Sequence, residues 1–410
     1  MIARLRFPIM GYNTFTGYGW SITEAEFKEQ VILCDKELKP YGYNYMTLDF
    51  MWSTPGRDSR DNPDQNALFT PWRNMDMYGR LIPAPDRFPS SIAEMSLKPI
   101  ADFVHSRNMK FGIHAMCGVP KQAVAAKCVI KGTEITCDKI VSTTEKYCTW
   151  NNEMYPIDFS KNGSQEYVNS LIELYTSWEV DLLKIDDLSF PYRKVAMEAY
   201  SKAIEASPRE IVFSTSPGAT PIEEGAHVAK HASMWRISPD FWDTWDAVRD
   251  QMDNFEAWQQ YKGFGAFPDG DIISVGQHSN FGPWEAPRYS NFTYCEKRTC
   301  LAVWSMMNSP IFIGGDISTV DAPTLELLQT QTLYTINKFT TDAVITHTTE
   351  NVITIEGKIQ HQPSLKVLAY VNISEDVVSL PTPKNVVENV FGNVSEFLAP
   401  HDTVLYIIGE

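Results

Sequence analysis

The sequence predicts an α/β protein, a (β/α)8 barrel followed by a small antiparallel β-domain, and three observations support this prediction. Eight short apolar runs alternate with amphipathic stretches over the first three quarters of the chain, as expected for a barrel. No Gly-rich phosphate loop follows any of these runs, which disfavours an open nucleotide-binding sheet. From about residue 340 the pattern changes to short apolar runs split by polar and Pro-containing turns, which is typical of antiparallel strands.

The elements follow in order. Strands are predicted at 7–13, 43–50, 109–116, 180–187, 210–216, 232–238, 263–269 (weakly) and 309–315. Two of the intervening stretches have clear helical patterns, 23–42 and 164–180. Thr23 is the predicted N-cap of the first. We expect the barrel domain at residues 1–335 and a C-terminal β-sandwich at 336–410.

Composition and charge exclude several classes of partner. The net charge of the 410 residues is −16 and no dense Lys/Arg cluster occurs, so nucleic acid and anionic membranes are not expected partners. No apolar run approaches the ~20 residues of a membrane span. Seven scattered cysteines and a start without signal-peptide features predict reduced thiols and a cytoplasmic location. The sequence does not decide whether the chain forms a homo-oligomer.

The predicted strand ends are unusually polar. Because the carboxyl ends of barrel strands open onto one mouth, side chains from five strands are expected to converge there; they are Asp49, His114, Lys184, Asp186, Asp187, Arg236, Asp240, Asp269 and Asp271. A single Asp at a strand end is more often a cap or turn residue. Convergence of five strand ends makes a functional pocket the better interpretation.

Two carboxylates, each near a cation, are the groups that glycoside hydrolysis needs. Lys184 and Asp186 are two residues apart on one strand, so they point to the same face, and the ammonium favours an ionised carboxylate suited to a nucleophile. Asp240 lies among aromatic residues, and an apolar surround suits a general acid/base. Asp243, in the same stretch, is the alternative. A structural ion pair is the competing interpretation at each position.

Eight short motifs follow one another along the chain. They are GYNTF (11–15), GYNYMTLDFMW (42–52), YGRLIPAPDRFPS (78–90), KFGIH (110–114), LLKIDD (182–187), WRISPDFWDTW (235–245), FPDGDIISVG (267–276) and WSMMNSPIFIGGD (304–316). In this order they resemble the motifs of glycoside hydrolase family 27, the α-galactosidase and α-N-acetylgalactosaminidase family. Each motif is weak alone, but their common order covers nearly the whole chain. The resemblance implies a glycosidase that acts on an oligosaccharide or glycoconjugate.

The resemblance also implies roles for individual residues. Asp186 corresponds to the nucleophile and Asp240 to the acid/base of a retaining double displacement. The remaining matched positions contact the sugar, and they are Phe15, Asp49, His114, Lys184, Arg236 and Asp271. His114 stands where relatives have a sugar-facing Tyr, and Phe15 replaces an aromatic platform. The family needs no metal or other cofactor, and none is expected here.

Departures from the family pattern leave the identity of the preferred terminal sugar undecided. Phe50 follows Asp49 where the family has a second Asp, which puts plain galactose selectivity in doubt. Ser216 and Ala219 resemble the small pair with which N-acetylgalactosaminidases admit an acetamido group. The alternatives to an α-galactosidase are therefore an α-N-acetylgalactosaminidase or a β-L-arabinopyranosidase. A catalytically silent sugar-binding relative and transglycosylation are more remote.

Overall fold

A parallel sheet of nine strand segments forms the first part of the molecule. The computed structural model describes residues 1–56, 73–142, 148, 153–263, 265–280, 286–381, 383–392 and 396–409. The segments are β1 Met10–Asn13, β2 Tyr43–Leu48, β3 Lys110–Met116, β4 Leu182–Asp186, β5 Val212–Thr215, β6 Met234–Arg236, β7 Phe267–Asp269, β8 Ile273–Ser274 and β9 Ile311–Gly314. All neighbouring pairs are parallel, in the order β8-β9-β1-β2-β3-β4-β5-β6-β7.

The sheet closes into a barrel through one interrupted strand. β7 pairs with β6 at one end of the sheet order, and β8 pairs with β9 at the other. Only Gly270, Asp271 and Ile272 separate β7 from β8, so the two segments act as the seventh of eight barrel strands. The (β/α)8 fold class is confirmed. The sequence prediction reached β7 but missed β8.

Helices alternate with the strands on the outside of the barrel. They are α1 Glu24–Glu37, α2 Lys98–His105, α3 Ser164–Ser177, α4 Lys194–Ala206, α5 Gly225–His231, α6 Trp245–Trp258, α7 Tyr294–Met306, α8 Ala322–Leu328 and α9 Gln331–Phe339, with shorter turns at Phe15–Tyr18 and Lys121–Ala125. Thr23 is the N-cap of α1 and forms a capping box with Glu26, as its position in the sequence predicts. None of the described helices has both the length and the apolar character needed to cross a bilayer.

The barrel interior changes from apolar to polar along its axis. The N-terminal end is filled by a cluster of apolar side chains, which are Ala3, Leu5, Ile9, Leu182, Val212, Met234, Phe267 and Phe312. Above this layer, the inward-facing residues of β4, β6 and β7 include Lys184, Arg236 and Asp269, all lining one small internal cavity. Charged groups inside a barrel cost free energy unless they are paired, so this polar layer marks the functional end.

A five-stranded antiparallel sheet forms the C-terminal part. Its strands are β10 Thr340–His347, β11 Val352–Ile359, β12 Leu365–Asn372, β13 Val386–Asn389 and β14 Thr403–Gly409, in the order β10-β11-β12-β14-β13. Alternate side chains of β12 point to opposite faces of the sheet. Val367, Ala369 and Val371 join the main core, whereas Leu368 and Tyr370 pack in a separate cluster that includes Leu380 and Leu398. The antiparallel C-terminal domain is therefore confirmed.

This sheet follows the barrel without a linker. α9 ends at Phe339 and β10 begins at Thr340. A buried ion pair joins Arg298 of α7 to Asp402 in the turn before β14. Next to this pair, the ring of His401 stacks on Trp245 at a centroid distance of 4.1 Å. The division between residues 335 and 336 stays a prediction.

Candidate active site

The first half of the site is built around Lys184 at the end of β4. Its Nζ lies 3.1 Å from Asp49 Oδ2 and 3.5 Å from Asp186 Oδ1. Asn13, at the end of β1, donates a 2.7 Å hydrogen bond from Nδ2 to the same Asp49 oxygen. The shared face expected for Lys184 and Asp186 from their spacing on the strand is observed. Three strand ends thus hold one ammonium between two carboxylates.

The carboxylate of Asp186 is buried but kept ionised. His114 at the end of β3 lies on its other side, with Nε2 3.1 Å from Asp186 Oδ2. Burial by itself would raise the pKa of Asp186, but Lys184 and His114 outweigh it and hold that pKa well below its ordinary value. Burial likewise opposes a low pKa at Asp49, where Lys184 and then His114 prevail. Asp186 is therefore available as an anion throughout the neutral and mildly acid range.

The second half of the site is built around Arg236 at the end of β6. Its Nη2 lies 2.8 Å from Asp271 Oδ2 and 3.2 Å from Asp240 Oδ1. Asp271 also accepts a 2.9 Å hydrogen bond from the backbone N–H of Phe241. Burial raises the pKa of Asp271. The guanidinium thus links a buried carboxylate on the interrupted strand to a second one in the loop after β6.

Asp240 differs from the sequence-based expectation in one respect. Its side chain is 51% exposed, so the apolar enclosure predicted from its aromatic neighbours is not present. The reason lies in where those aromatics point. Phe241 packs inward against Phe292 and Trp304, while Trp242 is itself exposed. The carboxylate of Asp240 is left between Arg236 and solvent.

Asp243, the alternative acid/base, is occupied elsewhere. Its two carboxylate oxygens lie 2.6 and 2.9 Å from the guanidinium nitrogens of Arg288. The backbone N–H of Asn291 donates a third hydrogen bond to it, at 2.6 Å. A carboxylate committed to a bidentate pair and a backbone bond is poorly placed to exchange a proton with a substrate. Asp243 is therefore bound to Arg288 and the backbone of Asn291 instead.

Aromatic side chains flank the Lys184 side of the site. The ring of Phe15 lies 5.8 Å from Lys184 Nζ. Phe50 is only 4% exposed and packs edge-to-face on His114 at a centroid distance of 5.1 Å. The guanidinium of Arg73 lies 5.7 Å from the Phe50 ring on another side. Phe50 is therefore fixed in an apolar cluster beside His114, whereas its neighbour Asp49 is bound to Lys184.

The segment after β5 borders Asp186 from a third direction. Ser216 is buried, and its backbone N–H donates to the carbonyl of Ile185, next to Asp186. Ala219 follows in the same loop and is partly buried. Asp187 is buried in a left-handed conformation, at φ 68°, so the chain turns immediately after Asp186. This turn separates the two adjacent Asp side chains.

Sequence reasoning missed three side chains that support the site. Asn13 orients Asp49, and Arg73 and Glu153 form a buried ion pair beside Phe50. Asp269 was placed at a strand end but given no role, although it accepts a 2.9 Å hydrogen bond from the backbone N–H of Asp271. Asn13 lies inside the GYNTF motif and could have been found there. The pairing of Arg73 with Glu153 joins distant segments and leaves no local signal.

Comparisons with known proteins agree with this geometry. Residues 155–339 match the family model described as alpha galactosidase A. The solved structure of a family 27 β-L-arabinopyranosidase from Geobacillus stearothermophilus superposes with a TM-score of 0.91 at 30% identity, covering 99% of this chain and 97% of that one. The chain belongs to glycoside hydrolase family 27. The glycosidase expected from the eight motifs is thereby confirmed at the level of the family.

Family members with other specificities are also similar in sequence. α-Galactosidase 3 of Arabidopsis thaliana is 27% identical over 338 residues, which are 81% of this chain and 60% of the relative. The α-N-acetylgalactosaminidase of Gallus gallus is 25% identical over 330 residues, 77% of this chain and 64% of the relative. This chain therefore spans less than two thirds of the length of either relative.

Proposed function

We propose that this family 27 protein is a retaining, exo-acting glycoside hydrolase that removes a terminal α-galactose-like sugar through a covalent glycosyl-aspartate. The observation that carries the proposal is the buried, ionised Asp186 held between Lys184 and His114. A nucleophile must be an anion at working pH and be fixed toward its target. The exposed Asp240 on Arg236 supplies the second carboxyl group.

In the first step, an Asp186 oxygen attacks the anomeric carbon as the bond to the leaving oxygen breaks. Asp240, in its protonated form, gives its proton to that oxygen, so the aglycone leaves as an alcohol. In the second step, Asp240 removes a proton from water while the water oxygen attacks the same carbon. The bond to Asp186 breaks in that same displacement, its electron pair returns to the carboxylate, and the sugar is released with its configuration retained. The exposure of Asp240 suits a group that must meet both aglycone and water.

The surrounding charges hold the sugar. Lys184 offers ammonium hydrogens to ring hydroxyls while its charge is balanced by Asp49 and Asp186. Arg236 offers guanidinium hydrogens on the opposite side and is balanced by Asp271. Burial would lower the pKa of Lys184, but Asp186 and Asp49 outweigh it and raise that pKa, so the ammonium stays a donor.

A β-L-arabinopyranoside is the second candidate substrate, and Phe50 is the observation that favours it. β-L-Arabinopyranose has the galactose arrangement of ring hydroxyls but no hydroxymethyl group. A buried phenyl ring can pack against the bare ring carbon, whereas it offers no hydrogen bond to a hydroxymethyl oxygen. The Geobacillus relative is named a β-L-arabinopyranosidase, and a variant of it is described in complex with arabinose.

A panel of aryl glycosides tests the substrate. We expect turnover of α-galactoside and β-L-arabinopyranoside, with kcat/KM values that do not strongly favour the galactoside. A dominant rate on α-N-acetylgalactosaminide would show that the small residues Ser216 and Ala219 outweigh Phe50. No turnover of any of the three would identify a silent sugar-binding protein and contradict the proposal.

The nucleophile is tested separately. Asp186→Ala should abolish turnover, and azide should partly restore it by attacking the face that the carboxylate occupied. The matched control is Asp187→Asn, which should retain a covalent intermediate. A 2-fluoro glycoside should label Asp186; labelling of Asp187 would contradict the assignment. In a substrate complex the carboxyl groups of Asp186 and Asp240 should lie ~5–5.5 Å apart, and a separation near ~9 Å would indicate inversion.

A further inference from the structure

A cluster of two histidines and a glutamate lies on the outer face of the barrel, between α4 and α5. One potential ligand atom from each of Glu198, His227 and His231 lies within 4.8 Å of the other two. His227 Nε2 is 3.1 Å from Glu198 Oε1. The imidazole rings of His227 and His231 are 4.5 Å apart between centroids. The cluster is separate from the residues that contact Asp186 and Asp240.

Helical spacing brings these residues together. His227 and His231 are four residues apart on α5, so both project from one face. On α4, Glu198 and Ser201 are three residues apart and face the same way. The side chain of Glu198 is 49% exposed and that of His227 is 13% exposed. The cluster is thus fixed on two packed helices and open to solvent on one side.

The second nitrogen of each imidazole is already engaged. Tyr192 Oη lies 2.6 Å from His227 Nδ1, and Ser201 Oγ lies 3.1 Å from His231 Nδ1. Each hydroxyl can accept an Nδ1–H, which leaves Nε2 of His231 with a lone pair. His227 Nε2 lies 3.1 Å from Glu198 Oε1, and because a carboxylate only accepts hydrogen bonds, this nitrogen can present a lone pair there only to a cation held between the two groups. The Tyr192 hydroxyl has its own acceptor in Met197 Sδ, at 3.4 Å. A metal-binding histidine usually donates the N–H of its other ring nitrogen to an oxygen atom, which fixes the orientation of the ring.

The spacing fits a tetrahedral ion of the size of Zn²⁺. Bonds of ~2.0–2.2 Å to imidazole nitrogen and carboxylate oxygen place two such ligands about 3.3 Å apart. The observed separation of His227 Nε2 and Glu198 Oε1 is 3.1 Å.

A second cluster of similar residue types lacks the features of a metal site. Asp102, His105 and Glu179 also bring ligand atoms together. There, however, Lys98 Nζ lies 2.6 Å from Asp102 and 3.2 Å from Glu179. His105 Nε2 is 2.7 Å from Asp181. A lysine ammonium already supplies the cation, so this cluster is an ion-pair network.

We propose that Glu198, His227 and His231 form a binding site for Zn²⁺ or a chemically similar divalent transition-metal ion. Two imidazoles and one carboxylate suit such ions better than Mg²⁺ or Ca²⁺, which take mainly oxygen ligands. Three protein ligands leave the fourth position to water. The ion would join α4 to α5. Because it binds only the folded state, it would raise the unfolding temperature as its concentration exceeds its dissociation constant.

The experiment uses the full chain without a purification tag, stripped with a chelator and dialysed. ZnCl₂ is titrated in by calorimetry, and the unfolding temperature is followed in parallel. Glu198→Gln and His231→Gln are the test variants. His347→Gln, an exposed histidine of β10, is the matched control. Co²⁺ is the spectroscopic probe, because cysteine coordination would add a thiolate charge-transfer band that histidine and carboxylate do not give.

One equivalent of Zn²⁺ should bind and raise the unfolding temperature of the wild-type and His347→Gln proteins. Glu198→Gln and His231→Gln should each bind at least tenfold more weakly, with their glycosidase activity unchanged. Co²⁺ should show the visible bands of a four-coordinate site without a thiolate band. The proposal is overturned by equal affinity in the test variants, by a thiolate band, or by the absence of saturable binding in the wild type.

Discussion

Replacing Asp269 by Asn should stabilise the protein at neutral pH and not at acid pH. Burial, followed by the charge of Asp271, raises the pKa of Asp269 from its ordinary 3.8 to about 6. A raised carboxyl pKa means that the fold prefers the protonated form. The contribution to stability is thus present below about pH 4 and is lost as pH rises to about 6. At ~1.4 kcal/mol per pKa unit, the charged form costs the folded state about 3 kcal/mol.

Asn is nearly the same shape and removes that cost. Its side-chain oxygen can still accept the hydrogen bond that the Asp271 N–H gives to Asp269. Calorimetric unfolding of wild type and Asp269→Asn at pH 4 to 8 is the measurement, with the exposed Asp253→Asn as control. The stability difference should increase by about 2.4 kcal/mol between pH 4 and pH 7, because a small part of the effect is already present at pH 4. A difference that does not vary with pH would refute the reasoning.

Three further predictions concern the site and the domain contact. Lys184→Met should lower kcat/KM and move the acid limb of the pH–rate profile upward, because Lys184 is the main group that holds down the pKa of Asp186; an unmoved limb would contradict this. Phe50→Asp should raise the kcat/KM ratio of α-galactoside over β-L-arabinopyranoside at least tenfold, about 1.4 kcal/mol; an unchanged ratio would mean that this side chain does not face the sugar. Asp402→Ala leaves the buried Arg298 without its ion-pair partner and should cost about 3–5 kcal/mol in unfolding experiments, whereas an unchanged unfolding temperature would show that the pair does not hold the β-domain on α7.

The fold was predictable because its strands are buried and short. Mainly apolar runs mark β2, β3 and β4, and the observed limits lie within two residues of the expected ones. β8 was missed because it has only two residues, and a segment of that length carries no periodic signal. Its existence depends on pairing with β9, which is a tertiary contact. The number of predicted strands therefore indicated a closed barrel, but the sequence did not show which segments pair to close it.

The site was predictable where its members sit on strands. The pairing of Lys184 with Asp186 follows from two-residue periodicity along β4, and the distance of 3.5 Å agrees with it. The contact between His114 and Asp186 joins two strands and depends on the register in which His114 faces Lys184. For Asp240 the local composition was misleading. Neighbouring aromatics indicate an apolar setting only if they point toward the carboxylate, and loop backbone geometry decides that.

The environments of the two carboxyl groups differ in a way that suits the two steps of the proposed double displacement. Asp186 is surrounded by fixed cations, so its charge depends little on whether substrate is present. Asp240 has one cation, Arg236, which it shares with the buried Asp271. In the proposed mechanism Asp186 attacks one carbon from one fixed position, and its burial among charged partners suits that task. Asp240 would meet the aglycone oxygen in the first step and the incoming water in the second, and its exposed side leaves room for each in turn. An exposed acid/base is therefore consistent with the proposed role, whereas an exposed nucleophile would not be.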